Sequence, residues 1–135
     1  MELLERLRQQ AGDVPGLKLA VLFGSTARGE ARPRSDVDLG ILIEPYSPSA
    51  RFTAEAQLGR AAQRPIHLIL LDEAPPLLRF EIARDGVLLL EKEEGLWTSF
   101  KAKAMIDWWD WAPIARRMNA EVIRRLKERV AGGQA

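Results

Sequence analysis

The stretch GSTARGEARPRSDVDLGILI, residues 24–43, decides how the rest of the chain is interpreted. Its Gly24-Ser25 pair is followed, after ten residues, by Asp36-Val37-Asp38 and then by an apolar segment. Alternate positions of a strand place Asp36 and Asp38 on one face, where like charges repel unless a cation lies between them. A strand that ends in Gly-Ser presents backbone N–H groups and a hydroxyl, which together suit a phosphate.

Each half of this pattern also has a purely conformational interpretation. A Gly-Ser pair often serves only to turn the chain, and an Asp-x-Asp sequence is often a solvated strand start, with Asp36 capping a turn after Ser35. Here the strand continues through Leu39 and Ile41 into a core, so two carboxylates enter a sheet at its mouth. Hard oxygen ligands of this kind bind Mg²⁺, which in turn holds substrate phosphates.

Composition limits the class of protein. A chain of 135 residues with 47% apolar content is the size of one ordinary domain with a sizeable core. The absence of cysteine excludes a disulfide framework and a thiolate zinc site. The N-terminus lacks the apolar run of a signal peptide, and no apolar run reaches the length of a membrane span, so we expect a soluble, cytoplasmic protein without a membrane partner. A net charge of +1 is too small to indicate nucleic-acid binding.

Periodicity and turn residues predict alternating helices and strands up to residue 92. Helices are expected near 3–12, 51–62 and 75–86, and strands near 17–24, 37–43, 66–71 and 86–91. Residues 25–35 are expected to form a loop or a short helical turn. This order predicts an α/β (α+β) domain over 1–92, a small mixed β-sheet with flanking helices.

Residues 93–135 are predicted to form a C-terminal helical pair. An aromatic stripe, spaced by three or four residues, marks the first helix, and Pro113 is expected to begin the second. The aromatic stripe comprises Trp97, Phe100, Ala104, Trp108 and Trp111, and the second helix repeats Ile114, Met118, Val122, Leu126 and Val130. Packed aromatic residues are usual in interfaces, so the stripe is expected to cover the sheet of its own domain or a second copy in a homodimer.

The chain resembles the minimal nucleotidyltransferases of the DNA polymerase β superfamily. Their pattern of Gly-Ser, ten residues and Asp-x-Asp is matched by Gly24, Ser25, Asp36 and Asp38, and the longer prokaryotic form is matched by 27–29 and Ser35. The likeness continues through APPLLRFEIARDGVLLLE, residues 74–91. The resemblance implies a polymerase β-like fold over 1–92.

The resemblance also implies the chemistry. Gly24 and Ser25 would hold the β- and γ-phosphates of ATP or another nucleoside triphosphate, Asp36 and Asp38 would bind Mg²⁺, and an acceptor hydroxyl would attack the α-phosphorus with pyrophosphate leaving. Such a transfer depends mainly on positioning and charge neutralisation. Ser35 belongs to the predicted nucleotide site. Arg28 and Arg34 could neutralise phosphate charge or could be ordinary solvated arginines of the loop.

One position departs from the family pattern. The third carboxylate expected on the neighbouring strand is replaced by His67 when the chain is aligned on 74–76. Asp72 is not a substitute, because it lies five residues further along, roughly 17 Å in a strand, and on the opposite parity. His67 is either a half-buried structural residue, a metal ligand or a general base. We expect it to limit transfer in Mg²⁺, with some recovery in Mn²⁺.

Prokaryotic members of this family are often encoded beside a helical HEPN protein. The resemblance therefore implies a toxin and antitoxin pair in which the nucleotidyltransferase adenylylates a tyrosine of its partner. Two classes of function remain open on the sequence. One is an enzyme that transfers AMP or another nucleoside monophosphate to a protein or small-molecule hydroxyl; the other is a binding module that keeps the nucleotide pocket and neutralises its partner by contact alone.

Overall fold

The structure, a computed structural model, describes residues 2–29, 36–117, 124–125 and 127–130. The helices are α1 Leu3–Gly12, α2 Gly24–Ala27, α3 Pro48–Ala62, α4 Pro76–Asp85 and α5 Leu96–Arg117. The strands are β1 Leu17–Phe23, β2 Val37–Ile43, β3 Ile66–Leu70 and β4 Val87–Glu91, and a 3-10 turn, Leu71–Glu73, joins β3 to α4. The predicted order of elements over 1–92 is confirmed.

The four strands form one mixed sheet in the order β3-β2-β1-β4. Strand β1 pairs antiparallel with β2 and with β4, whereas β2 and β3 are parallel. The parallel pair requires a crossover connection, which α3 provides. The predicted mixed sheet with flanking helices is therefore confirmed. Strands β1 and β2 are the two inner strands. A side chain near the end of β1 or the start of β2 therefore has a neighbouring strand on each side.

Side chains alternate between two apolar cores, one on each face of the sheet. Ala20 and Leu22 face the core that contains the buried side chains of α1 and α3. Leu19 and Val21 face the second core, to which α4 and α5 contribute. The sheet is thus enclosed between two helical layers, as expected when each strand carries apolar residues on both faces.

Helix α3 begins three residues before the predicted start at residue 51. The Ser47 side chain accepts a hydrogen bond of 2.9 Å from the backbone N–H of Ala50, and Pro48 occupies the first turn. Both are typical of a helix N-terminus, because serine satisfies a free N–H group and proline needs no hydrogen-bond partner there. The helix ends at Ala62, and the capping residue Gln63 adopts a left-handed conformation with φ 58°.

The prediction that Pro113 begins a second helix is wrong. Helix α5 continues through Pro113 to Arg117. Trp108 stacks on Phe80 of α4, and Ala112 is buried, so tertiary packing fixes the turns beside the proline. Packing of this kind overrides the local tendency of proline to interrupt a helix.

Part of the predicted second helix, residues 118–123 and 126, lies outside the described residues. Residues 124–125 and 127–130 are helical, and Val130 packs against the second core. Met118 and Val122 are not among the described residues, nor is Leu126. The predicted domain boundary near residue 92 stays a prediction. Within the described residues, no helix combines the length and the apolar character needed to cross a bilayer.

Candidate active site

Asp38 lies near the start of the inner strand β2, at the end of the sheet where β1 finishes. Its backbone is in register with Phe23, the last residue of β1, on one side and with His67 of β3 on the other. The turn that follows β1 and the side chain of His67 therefore flank the same carboxylate. Asp38 is only 8% exposed and is the one charged residue classed as buried among the described residues.

Gly24 meets Asp38 directly. It has φ +75°, and a Cβ atom built on it would lie 2.2 Å from Oδ2 of Asp38. This separation is far shorter than any real contact, so a side chain at position 24 would displace the carboxylate. The conformation also favours glycine, because L-residues are strained at this φ. The Gly-Ser turn and the Asp-x-Asp segment, ten residues apart in sequence, thus meet in the fold.

The surroundings of Asp38 disfavour the charged form of its carboxyl group. Burial and, to a smaller extent, repulsion from Asp36 raise its pKa to about 6, and Arg28 opposes the shift. Oδ1 of Asp38 is buried and accepts no hydrogen bond from any described residue. A buried carboxylate without a partner is costly, and perturbed groups of this kind are concentrated at functional sites. The predicted repulsion between the two aspartates is consistent with this shift.

His67 lies beside Asp38 on the neighbouring parallel strand. Its Nδ1 is 3.7 Å from Oδ1 of Asp38, beyond hydrogen-bond distance, and both atoms are buried without a partner among the described residues. The side chain is 26% exposed. The alignment that put His67 where the family carries its third carboxylate is thus consistent with the fold, since paired positions of parallel strands present their side chains on one face.

A cleft of about 260 Å³ opens over this end of the sheet. Three predicted nucleotide-site residues, Gly24, Ser25 and Arg28, line it together with Asp38. The other lining residues were not predicted: Phe23, Leu78, Glu81 and Asp85. The spacing of the last two in α4, four residues apart, was the available signal, because such positions share one face of a helix. His67 is not among the lining residues.

The remaining predicted site residues are placed less completely. Asp36 lies immediately before β2, is partly buried and acts on Asp38 through its charge. Ser35 and Arg34 lie outside the described residues. Asp72 belongs to the 3-10 turn after β3, is exposed, and lines a different cleft at the other end of β2. Asp72 therefore cannot supply a third carboxylate beside Asp38. Its position in the sequence leads to the same conclusion.

The charge arrangement fits a divalent cation. Asp38 has an unpartnered buried oxygen and is repelled by Asp36, and a cation shared by the two carboxylates would relieve both costs. The described residues contain no group of three or more His, Cys, Asp or Glu side chains able to hold a metal. A cation bound by Asp36 and Asp38 would therefore take its other ligands from phosphate oxygens and water, as Mg²⁺ commonly does.

Residues 5–95 match the family described as Polymerase beta, Nucleotidyltransferase. The chain belongs to this nucleotidyltransferase family. The matched range extends from α1 to the residue before α5, so it includes the whole sheet and every described residue that lines the cleft. The polymerase β-like fold inferred from the Gly-Ser and Asp-x-Asp motifs is confirmed.

Relatives of known character share much of the chain. Protein adenylyltransferase MntA of Aphanizomenon flos-aquae is 30% identical over an alignment 104 residues long, which covers 69% of this chain and 69% of that protein. A chain from the crystal structure of a toxin–antitoxin with AMP-PNP matches this nucleotidyltransferase with a TM-score of 0.69 and 22% identity, over 92% of this chain and 98% of that one.

A second solved structure contains the tri-AMPylated HEPN toxin of Shewanella oneidensis in complex with the MNT antitoxin. A chain of that complex matches with a TM-score of 0.63 and 20% identity, over 93% of this chain and 96% of that one. At this identity the two structural matches establish the fold of the nucleotidyltransferase, including α5, which lies beyond the family match.

Proposed function

We propose that this nucleotidyltransferase transfers AMP from ATP to a hydroxyl group of a HEPN-type partner protein, as the antitoxin of a toxin–antitoxin pair. The single observation that carries the proposal is the cleft in which the Gly24-Ser25 turn meets the buried Asp38. Two relatives support the choice of nucleotide and acceptor, one named as a protein adenylyltransferase and one seen with an AMPylated HEPN toxin.

Each side of the cleft has a distinct task in this reaction. The turn at Gly24 and the Ser25 hydroxyl bind phosphate oxygens, because the first N–H groups of a helical turn lack backbone partners. Arg28 brings a positive charge to the same cleft. Asp36 and Asp38 would hold Mg²⁺, which would supply charge neutralisation at the phosphates.

The transfer itself forms one bond and breaks one. The acceptor oxygen bonds to the α-phosphorus, the bond from that phosphorus to the bridging oxygen breaks, and pyrophosphate leaves with the electron pair. The hydroxyl proton passes to one of the carboxylates that line the cleft, Asp38, Glu81 or Asp85. His67 does not line the cleft, so we assign it a role in positioning Asp38 from β3.

A second function is favoured by one observation. The position of the third carboxylate is occupied by His67, and no group of three metal-binding side chains occurs among the described residues. A protein with this site could bind nucleotide and neutralise its partner by contact, with little transfer.

Incubation with ATP labelled at the α-phosphate, Mg²⁺ and a purified HEPN partner distinguishes the two functions. The enzyme predicts a partner that carries label and gains the mass of AMP, and loss of both with Asp38→Asn. Asp72→Asn is the matched control, because Asp72 also follows a strand but lies outside the cleft. A partner that is inhibited equally by wild type and Asp38→Asn, without label, would establish the contact mechanism and refute the enzyme.

A further inference from the structure

The outward face of α5 is apolar. Ala102, Ile106, Trp109 and Pro113 are spaced by four, three and four residues, so they form one stripe along the helix. All four are exposed, Ile106 to 54% and Trp109 to 67%. We call these four residues the outer stripe. A surface helix normally turns polar residues toward solvent, and no described part of the chain covers this face.

The predicted aromatic stripe is a different face of the same helix. Trp97 and Phe100 pack against the second core, and Trp108 stacks on Phe80 of α4 with ring centroids 5.0 Å apart. The expected coverage of the sheet is therefore supplied by that stripe within the chain. What is left for a partner is the opposite side, where the outer stripe lies.

Two charged residues lie along one side of the outer stripe. Lys103 and Asp110 are both exposed and are seven residues apart. This separation is about 10 Å along the helix, so the two cannot pair with each other as residues three or four apart do. Neither takes part in an ion pair with a described residue, whereas Asp107, next to them, is paired with Arg79 of α4.

We propose that the outer stripe binds the same stripe of a second copy of this chain, with the two α5 helices antiparallel. In an antiparallel pair, residues on one side of the stripe face the same side of the partner in reverse order. With Ile106 beside Trp109 of the partner subunit, Ala102 meets Pro113 of the partner subunit. The same register brings Lys103 to Asp110 of the partner subunit, and two-fold symmetry makes this ion pair twice.

A parallel pair gains no such complementarity. There the side that carries Lys103 and Asp110 would face the opposite side of the partner helix, which carries Thr98, Met105 and Ala112. Charge pairing therefore selects the antiparallel arrangement. It also favours a second copy over an unrelated protein, because both members of each ion pair come from this one helix.

The size of the stripe sets the strength of the dimer. From residue 102 to 113 the helix is about 17 Å long, and a stable interface usually buries about 800 Å² on each partner. One helix face of this length buries less, so we expect a weak dimer that dissociates in the micromolar range. The proposal concerns association alone and does not depend on nucleotide transfer.

Sedimentation velocity of the full-length protein, from low micromolar to several hundred micromolar, tests the proposal. Wild type is expected to shift from monomer to dimer, and Trp109→Glu to weaken the dimer tenfold or more, since a central tryptophan commonly contributes this much at an interface. Phe52→Glu is the matched control, because Phe52 is 72% exposed on α3 and should leave the dimer unchanged. Circular dichroism verifies that each variant is folded.

Charge reversal tests the register. Lys103→Asp and Asp110→Lys should each weaken the dimer several-fold, and the double variant should restore it, because the double reversal re-forms the opposite-charge pairs. A protein that is monomeric throughout the concentration range would overturn the proposal. A dimer whose affinity is unchanged by Trp109→Glu would also overturn it, as would a double variant whose dimer is weaker than that of either single variant. The same holds if Trp109→Glu abolishes binding to a HEPN protein but leaves the dimer intact.

Discussion

Two clefts at opposite ends of β2 are nearly equal in size but differ in chemistry. The cleft at Asp38 has a volume of about 260 Å³, and the one at the other end, lined by Lys18, Glu44, Asp72 and Glu93, about 280 Å³. Both are rich in carboxylates. In the second, Glu93 lies 3.7 Å from the Lys18 ammonium and is exposed, whereas in the first Asp38 is buried and its Oδ1 has no hydrogen-bond partner among the described residues.

The difference indicates that burial of a charge, and not the number of acidic residues, distinguishes the candidate active site from the second cleft. An exposed carboxylate next to a lysine is already satisfied by that lysine and by water. A buried carboxylate repelled by its neighbour gains most from a bound cation. Four predictions use this contrast, beginning with the largest effect.

Removal of either aspartate should abolish metal-dependent nucleotide binding. Asp36→Ala and Asp38→Ala each lose a ligand oxygen of the cation, so we expect affinity for ATP in Mg²⁺ to fall at least a hundredfold, as second-sphere changes alone already cost 10-fold to 100-fold. Asp72→Ala, in the other cleft, should bind as wild type does. Calorimetry with and without Mg²⁺ measures this. Equal ATP affinity of the wild type in the two conditions would mean that the aspartates have been misassigned.

The raised pKa of Asp38 should make the metal-free protein less stable as pH rises. The folded state holds its proton up to about pH 6, while the unfolded state loses it near 3.9, so between these values the folded state binds more protons. The stability that this proton contributes is complete below pH 4 and is lost as pH rises through 6. The loss is about 3 kcal/mol at most.

Asp38→Asn removes this dependence. Its free energy of unfolding, relative to that of wild type, should improve between pH 4 and pH 7.5 in a metal chelator. The test is the change in this difference between the two pH values. The desolvation cost of the asparagine amide is the same at both and therefore cancels. Glu93→Gln is the control from the other cleft, with a change below 1 kcal/mol. Parallel curves for wild type and Asp38→Asn in urea titrations would contradict the shifted pKa.

A side chain at Gly24 should be tolerated much less than one at Gly29. Both glycines have positive φ, +75° and +73°, but a Cβ at position 29 meets nothing within 4 Å. Gly29→Ala should therefore cost only the backbone strain of about 1 to 2 kcal/mol. Gly24→Ala adds the collision with Asp38 and should also lose nucleotide binding. Thermal unfolding and ATP titration of both variants measure the difference, and equal losses would show that backbone strain alone matters.

The smallest effect is expected at His67. His67→Asp would place a carboxylate on β3, beside Asp38, and we expect transfer in Mg²⁺ to rise about tenfold, below the range of about 10² to 10⁴ typical of a positioned general base. Wild type should be slow in Mg²⁺, because His67 occupies the position of the third carboxylate of the family pattern. Single-turnover AMP transfer across metals and pH is the assay. A wild type that is fast in Mg²⁺ and slowed by His67→Asp would make histidine the favoured residue here.

Several parts of the fold could be predicted because local patterns act over short distances. Strand β2 coincides with the apolar run after Asp36, and α4 starts at the second of two adjacent prolines and ends before a glycine. The predicted break at Pro113 was wrong because a local preference of proline was weighed without the packing of its helix on α4. The spacing of Glu81 and Asp85 indicated that they share one face of α4, but tertiary packing decided that this face turns toward the cleft.

The sequence by itself determined the family, the order of strands and helices, and the residues that could carry charge at the site. Motif spacing and apolar periodicity are properties of the chain alone, so they survive without knowledge of neighbours. Only the tertiary structure decided that Gly24 touches Asp38, that His67 stands beside it without lining the cleft, and that α5 turns Trp109 outward. Contacts between residues far apart in sequence depend on how the sheet pairs and how the helices pack, and those follow from the fold as a whole.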